Sequence, residues 1–103
     1  MKVYNKLIRD RIPEIIAAQG SRCDVKVLTD EEYLQALDRK LDEELAEYHA
    51  SGELEELADL MEVVHAIVAA RGYEVGQLRE IMEKKAAERG GFQKKLMLLS
   101  VEK

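Results

Sequence analysis

The chain has 103 residues, of which 47% are hydrophobic and 36% charged, and its formal net charge is -5. This composition is typical of one folded, helix-rich, soluble domain; it excludes a disordered chain and argues against a general nucleic-acid-binding protein. We therefore expect a single domain over residues 1–103.

Composition also bears on the compartment. Cys23 is the only cysteine, so no disulfide can form within the chain and we expect a reducing environment. No stretch approaches the roughly 20 apolar residues of a membrane span, and the first residues lack the apolar region of a signal peptide. The sequence thus predicts a cytoplasmic protein that does not bind membranes.

The first third of the chain predicts two short elements. Apolar residues at 12, 15, 16 and 18 predict a short helix, in which Pro13 is tolerated in the first turn and Gly20 marks the stop. Alternation around Val25 and Val27 predicts a strand over 23–28. A weaker pattern over 96–101 predicts a terminal strand as its partner.

Three longer helices follow. Thr29 and Glu32 have the capping-box spacing and start a helix over about 30–49. Ser51 and Gly52 interrupt it, with Ser51 as the expected cap of a strongly apolar helix over about 53–71. A last helix over about 74–89 ends at Gly90 and Gly91. The predicted fold class is mainly all-α, an antiparallel helical bundle with short terminal strands.

The most informative segment runs from Asp42 to Glu62. Its 21 residues include nine carboxylates and no Lys or Arg. It contains an E-E-x-x-E motif, followed by an E-x-x-D motif on the next predicted helix. Residues three or four apart share a helix face, so each helix presents paired carboxylates. The acidic residues in these two motifs are Glu43, Glu44, Glu47, Glu56 and Asp59.

Helical geometry separates these acids. Glu44 falls about 60° from the apolar stripe of its helix, Glu47 about 120° and Glu43 about 160°. On the next helix, Glu56 and Asp59 share a side with apolar residues. Carboxylates beside apolar surface cost free energy unless they are paired or bind metal.

The short turn at 51–52 makes these helices antiparallel neighbours. Glu44, Glu47, Glu56 and Asp59 should then face one another and suit Mg²⁺ or Mn²⁺, whereas zinc or iron fits less well without His or Cys. The alternative is that these acids simply face water.

These motifs resemble the MazG-type all-α nucleoside triphosphate pyrophosphohydrolases. The resemblance extends to Tyr4-Asn5-Lys6-Leu7-Ile8-Arg9-Asp10-Arg11-Ile12-Pro13-Glu14 and to Lys85-Ala86-Ala87-Glu88-Arg89-Gly90-Gly91-Phe92. Both segments look like the flanking motifs of a short subgroup often labelled phosphoribosyl-ATP pyrophosphohydrolase-like.

The resemblance implies an Mg²⁺-dependent hydrolase that cleaves a nucleoside triphosphate between its α and β phosphates, releasing a monophosphate and pyrophosphate. It implies Glu44, Glu47, Glu56 and Asp59 as metal ligands, and a homodimer or homotetramer as the active form. We expect Glu43 or Glu44 to act as the base toward water. Phosphoryl chemistry also requires cations, for which the basic ends of the chain offer Lys6, Arg9, Arg11, Lys85 and Arg89.

Two other functions fit the same sequence. One is the phosphoribosyl-ATP pyrophosphohydrolase reaction of histidine biosynthesis, which uses similar chemistry on another substrate. The other is a non-catalytic helical module whose acidic face binds a basic partner.

Overall fold

A computed structural model describes residues 1–103 and contains four α-helices and no strand. The helices are α1 (Ile12–Ala18), α2 (Asp30–Ser51), α3 (Leu54–Ala70) and α4 (Val75–Arg89). The all-α fold class and the four helices are confirmed, with boundaries within two residues of the predicted ones. None of these helices combines the length and the apolar character needed to cross a bilayer.

The predictions of strands over 23–28 and 96–101 are wrong, since both segments are irregular. Alternating apolar residues form a strand only where a neighbouring chain segment supplies hydrogen bonds and one face is covered. Neither condition holds here, because Val25 and Val27 are exposed, as are the apolar residues of the second segment.

Local signals explain the α2–α3 hairpin. At its start, Glu32 donates a backbone N–H to Thr29 Oγ1 over 3.2 Å, and Thr29 donates its own N–H to Glu32 Oε1 over 3.0 Å. At its end, Gly52 adopts a left-handed conformation with φ of 68°, which glycine tolerates best. Ser51 is the last residue of α2 and does not cap α3; Glu53 occupies that position without a side-chain hydrogen bond.

The core lies between α2 and α3 and is small. Only Leu37, Glu44 and Val63 are buried in the whole chain. Leu45, which by helical spacing shares a face of α2 with Leu37 and Leu41, is 41% exposed. Helix α4 packs against α3 alone among the helices, and none of its residues is buried.

The molecule is extended for its length. Its Cα radius of gyration is 18.4 Å and its principal extents are 63 × 32 × 23 Å. A compact chain of this length has a radius of gyration of about 13 Å. Much apolar surface therefore remains open, chiefly over residues 1–27 and in the residues after α4.

Candidate metal centre

Three carboxylates from the α2–α3 hairpin meet at one point. Glu44 on α2 and Glu56 and Asp59 on α3 each contribute one oxygen, and these oxygens lie within 4.8 Å of one another. We call this group the acidic triad. The Gly52 turn sets it up, because it folds the end of α2 back onto the start of α3.

Glu44 is the buried member of the acidic triad. Its residue is 5% exposed, and its Oε2 is enclosed without any hydrogen-bond partner. Its Oε1 lies 3.5 Å from Lys40 Nζ. A buried carboxylate oxygen without a partner costs free energy, and a divalent cation held between the three carboxylates would satisfy it. The hard oxygen donors of this set match magnesium or manganese.

Desolvation first, and neighbouring negative charge second, raise the pKa of two carboxyl groups of the acidic triad. Burial raises the pKa of Glu44, and the neighbouring Glu47 carboxylate raises it further. Desolvation likewise raises the pKa of Glu56, to which the charges of Glu47 and Asp59 add. In the metal-free protein, both carboxylates are therefore harder to ionise than free glutamates.

The remaining two acids of the motif lie outside the acidic triad. Glu47 is exposed, and its carboxylate raises the pKa of Glu44 and Glu56. Glu43 lies 3.3 Å from Lys40 Nζ and 3.4 Å from Lys6 Nζ. Burial alone would raise the pKa of Glu43, but these two ammonium groups outweigh burial and lower it. Glu43 is thus held in its ionised form.

Residues of the amino-terminal segment supply positive charge to the cluster. Arg9 donates through Nη2 to Asp59 Oδ1 over 2.7 Å, and its Nη1 lies 3.5 Å from Glu62 Oε1. Because Lys6 pairs with Glu43, the segment is tied to both α2 and α3. The structure therefore brings two of the predicted phosphate-binding cations to the acidic motifs.

The other three predicted cations are placed differently. Arg11 pairs with Glu14 over 3.0 Å and lines the cavity described below. Lys85 and Arg89 lie in the last two turns of α4, do not line that cavity and form no ion pair. A role for them at this site stays a prediction.

A cavity of about 490 Å³ lies beside the acidic triad. One part of its lining is charged and includes Arg9, Arg11, Lys40, Glu44 and Asp59. The other part is apolar and includes Leu7, Ile8, Ile12, Ile15, Tyr33 and Leu37. Its volume lies within the range of roughly 300–1,000 Å³ that small-molecule sites occupy.

Sequence reasoning missed Lys40 and Glu62 as parts of this network. Lys40 lies one turn before Glu43 and Glu44, a spacing that places it on their helix face. This spacing could have identified Lys40, which lies just before the segment without Lys or Arg. The pairing of Glu62 with Arg9 joins residues far apart in the chain, and no local pattern could have indicated it.

This chain is similar to a known protein over less than half of its length. No family model matches the chain, and no solved structure does either. A protein of Mycolicibacterium smegmatis, described as uncharacterized, is 54% identical over 46 residues. The match covers 45% of this chain and 47% of that relative's own length. Similarity of this extent assigns neither a family nor an activity.

Proposed function

We propose that this protein is a magnesium-dependent nucleoside triphosphate pyrophosphohydrolase that cleaves between the α and β phosphates. The observation that carries the proposal is the buried, unpartnered Oε2 of Glu44, enclosed beside two further carboxylates. A solvated acidic surface has no such atom, because water would satisfy it. The burial of Glu44 thus favours a cation site over an acidic surface that simply faces water.

The ion would be held by Glu44, Glu56 and Asp59, with the exposed Glu47 beside them. When bound, Mg²⁺ supplies charge neutralisation and Lewis acidity to a polyphosphate; Mn²⁺ offers the same chemistry. Carboxylates from two helices leave room for substrate oxygens, as Mg²⁺ sites in nucleotide enzymes usually do.

The chain's own residues account for the remaining steps. A water molecule attacks the α phosphorus, its proton passes to a carboxylate, and the bond to the bridging oxygen breaks to release pyrophosphate. Glu43 and Glu44 are the candidates for that carboxylate. Glu43 is held ionised by Lys40 and Lys6 and can therefore accept a proton.

Binding of the triphosphate would draw on the cations around the cavity. Arg9, Arg11 and Lys40 all line it, and guanidinium groups pair with phosphate oxygens through two parallel hydrogen bonds. The apolar part of the cavity offers a place for the base. Lys6, Lys85 and Arg89 would add charge from outside the cavity.

The active form that we propose is a homodimer or homotetramer. The accessible surface of the single chain is 9689 Å², whereas a folded monomer of this mass exposes about 5,900 Å². Only two apolar residues are buried within one chain. Association with further copies would cover the remaining apolar surface.

The test is pyrophosphate release from a panel of ordinary and damaged nucleoside triphosphates, together with phosphoribosyl-ATP, in Mg²⁺ or in EDTA. We expect release that requires the metal and that Glu44→Gln and Glu56→Gln abolish. Glu55→Gln is the matched control, since Glu55 neighbours Glu56 in sequence but is exposed and forms no ion pair. Selective turnover of phosphoribosyl-ATP would identify the histidine-pathway reaction instead.

One observation favours the non-catalytic alternative. Glu47, Glu53 and Glu55 are exposed and form no ion pair, so the hairpin keeps an acidic surface that a basic partner could bind. That function predicts no release of pyrophosphate from any substrate and no effect of Mg²⁺ on the melting temperature. Stabilisation by Mg²⁺ that disappears in Asp59→Asn would exclude it.

A further inference from the structure

The residues after α4 expose an unusual amount of apolar surface. The segment 92–101, which we call the apolar segment, contains Phe92, Leu96, Met97, Leu98, Leu99 and Val101, each between 71% and 98% exposed. Large contiguous apolar patches are rare on soluble monomers and mark interaction sites. We therefore expect another protein surface to cover this segment in solution.

A second apolar surface of the same chain is also open. Helices α3 and α4 enclose a groove of about 420 Å³ whose lining includes Met61, Val75, Leu78, Met82 and Ala86. We call it the α3–α4 groove. Arg79 and Glu83 also line it, so its charged residues offset each other. The apolar segment and the groove are therefore complementary in apolar character.

The segment does not fill the groove of its own chain. It leaves α4 through Gly90, where φ is +79°, and its residues remain exposed along their length. The excess of accessible surface over that of a compact monomer is on the order of 3,800 Å² per chain. A stable interface requires only about 800 Å² from each partner, so a second copy has ample surface to bury.

We propose that the apolar segment of one copy docks in the α3–α4 groove of a second copy, and that the exchange is reciprocal. Such a two-fold arrangement uses the same pair of surfaces twice. It buries apolar residues that neither chain can bury alone. The inference rests on the self-association proposed above but not on the hydrolytic chemistry.

Cysteine crosslinking tests the contact directly, in full-length Cys23→Ser chains. Chains carrying Met82→Cys are mixed and equilibrated with chains carrying Leu96→Cys, Leu98→Cys or Leu99→Cys, then oxidised in EDTA without nucleotide. We expect at least one segment position to yield the disulfide-linked heterodimer well above a matched Val27→Cys control, since Val27 is equally exposed but lies outside both surfaces.

One result would overturn the proposal. It is crosslinking of Met82→Cys chains to every segment position that is no greater than their crosslinking to the Val27→Cys control. Because neither metal nor substrate is present, failure of the proposed hydrolysis would leave this readout unaffected.

Sedimentation provides a second measurement. Met82→Asp and Leu98→Asp should each weaken self-association by at least roughly tenfold, because each places a charge where the proposed interface would bury an apolar side chain. Val27→Asp should leave it unchanged, and circular dichroism should show that all variants keep their helices. A wild-type chain that is monomeric at micromolar concentration would also overturn the proposal.

Discussion

The carboxyl group of Glu44 lies where the fold leaves it almost no contact with water. Lys40 neutralises it in part through Oε1, while Oε2 has no partner. The Glu44 carboxylate therefore costs folding free energy, which the cation proposed above would offset. Such conflicts between local rules and stability are expected at functional sites.

The first prediction concerns this cost. In EDTA, Glu44→Gln should raise the free energy of unfolding by on the order of 1 kcal/mol, because it removes a desolvated charge from beside Glu47. The same variant should lose all stabilisation by Mg²⁺. Urea titrations with and without Mg²⁺ measure both effects. Glu55→Gln should produce much smaller changes, because Glu55 is exposed and affects Glu56 through its charge alone. Lower stability of Glu44→Gln in EDTA would contradict the prediction.

The second prediction concerns Arg9, whose guanidinium pairs with the Asp59 carboxylate that a metal would also use. Arg9→Gln should bind Mn²⁺ up to about fivefold more tightly, since an exposed ion pair is worth roughly 0–1 kcal/mol. It should bind nucleotide more weakly. Electron paramagnetic resonance of free Mn²⁺ measures the metal affinity. Arg11→Gln is the control, because Arg11 pairs with Glu14 outside the acidic triad; unchanged or weaker Mn²⁺ binding by Arg9→Gln would refute the competition.

The third prediction concerns pH. Folding raises the pKa of Glu44 and Glu56 above the ordinary value of 4.5, so the folded chain binds protons more tightly than the unfolded one. Stability without metal should therefore increase as the pH falls from 7 toward that value. Folding lowers the pKa of Glu32 and Glu43, and their contribution is lost as the pH falls through their folded-state values.

The measurement is the urea midpoint as a function of pH in EDTA, compared between wild type and Glu44→Gln. The increase on acidification should be smaller in the variant. In saturating Mg²⁺ the trend in this window should reverse, because protons compete with the metal. A wild-type midpoint that only declines from pH 7 downward in EDTA would contradict the assignment.

At the scale of elements, the helices follow from local chemistry and could be predicted. The capping box at Thr29, the left-handed Gly52 and the 3.6-residue periodicity of α3 each act within a few residues. The failed strands needed partners elsewhere in the chain, which periodicity cannot supply. The partial burial of Glu44 could be predicted, because it follows from the position of Glu44 around α2. The pairing of Arg9 with Asp59 could not, because it joins residues that are distant in the chain.

The fourth prediction tests the start of α2. Thr29→Ala should cost about 1 kcal/mol of folding free energy, because it removes the acceptor of one otherwise unpaired N–H. Thr29→Ser keeps that acceptor and should cost much less. Urea denaturation followed by circular dichroism gives both values. Equal loss in the two variants would show that the methyl group, and not the cap, stabilises this helix start.

At the scale of the whole molecule, surface is the dominant feature. A chain that buries three residues gains little hydrophobic free energy on its own. Its sequence showed an apolar α3 and predicted association. The extent of the exposed apolar surface depends on how the helices pack against one another, which the sequence pattern does not specify.

The fifth prediction follows from that surface. The melting temperature of the wild-type chain should fall by several degrees for each tenfold dilution, because dissociation and unfolding are coupled in a self-associating protein. Scanning fluorimetry over two decades of concentration measures this dependence. Leu98→Asp should show a lower melting temperature and little dependence on concentration. A wild-type melting temperature independent of dilution would exclude coupled assembly.

The Gly52 turn has one more consequence, which concerns the order of folding. All members of the acidic triad fall within a hairpin whose two helices are adjacent in the chain. Contacts that are local in sequence form early, because little loop entropy is lost in making them. The acidic triad can therefore assemble before the amino-terminal cations arrive. The divalent cation proposed for it would then stabilise the hairpin during folding.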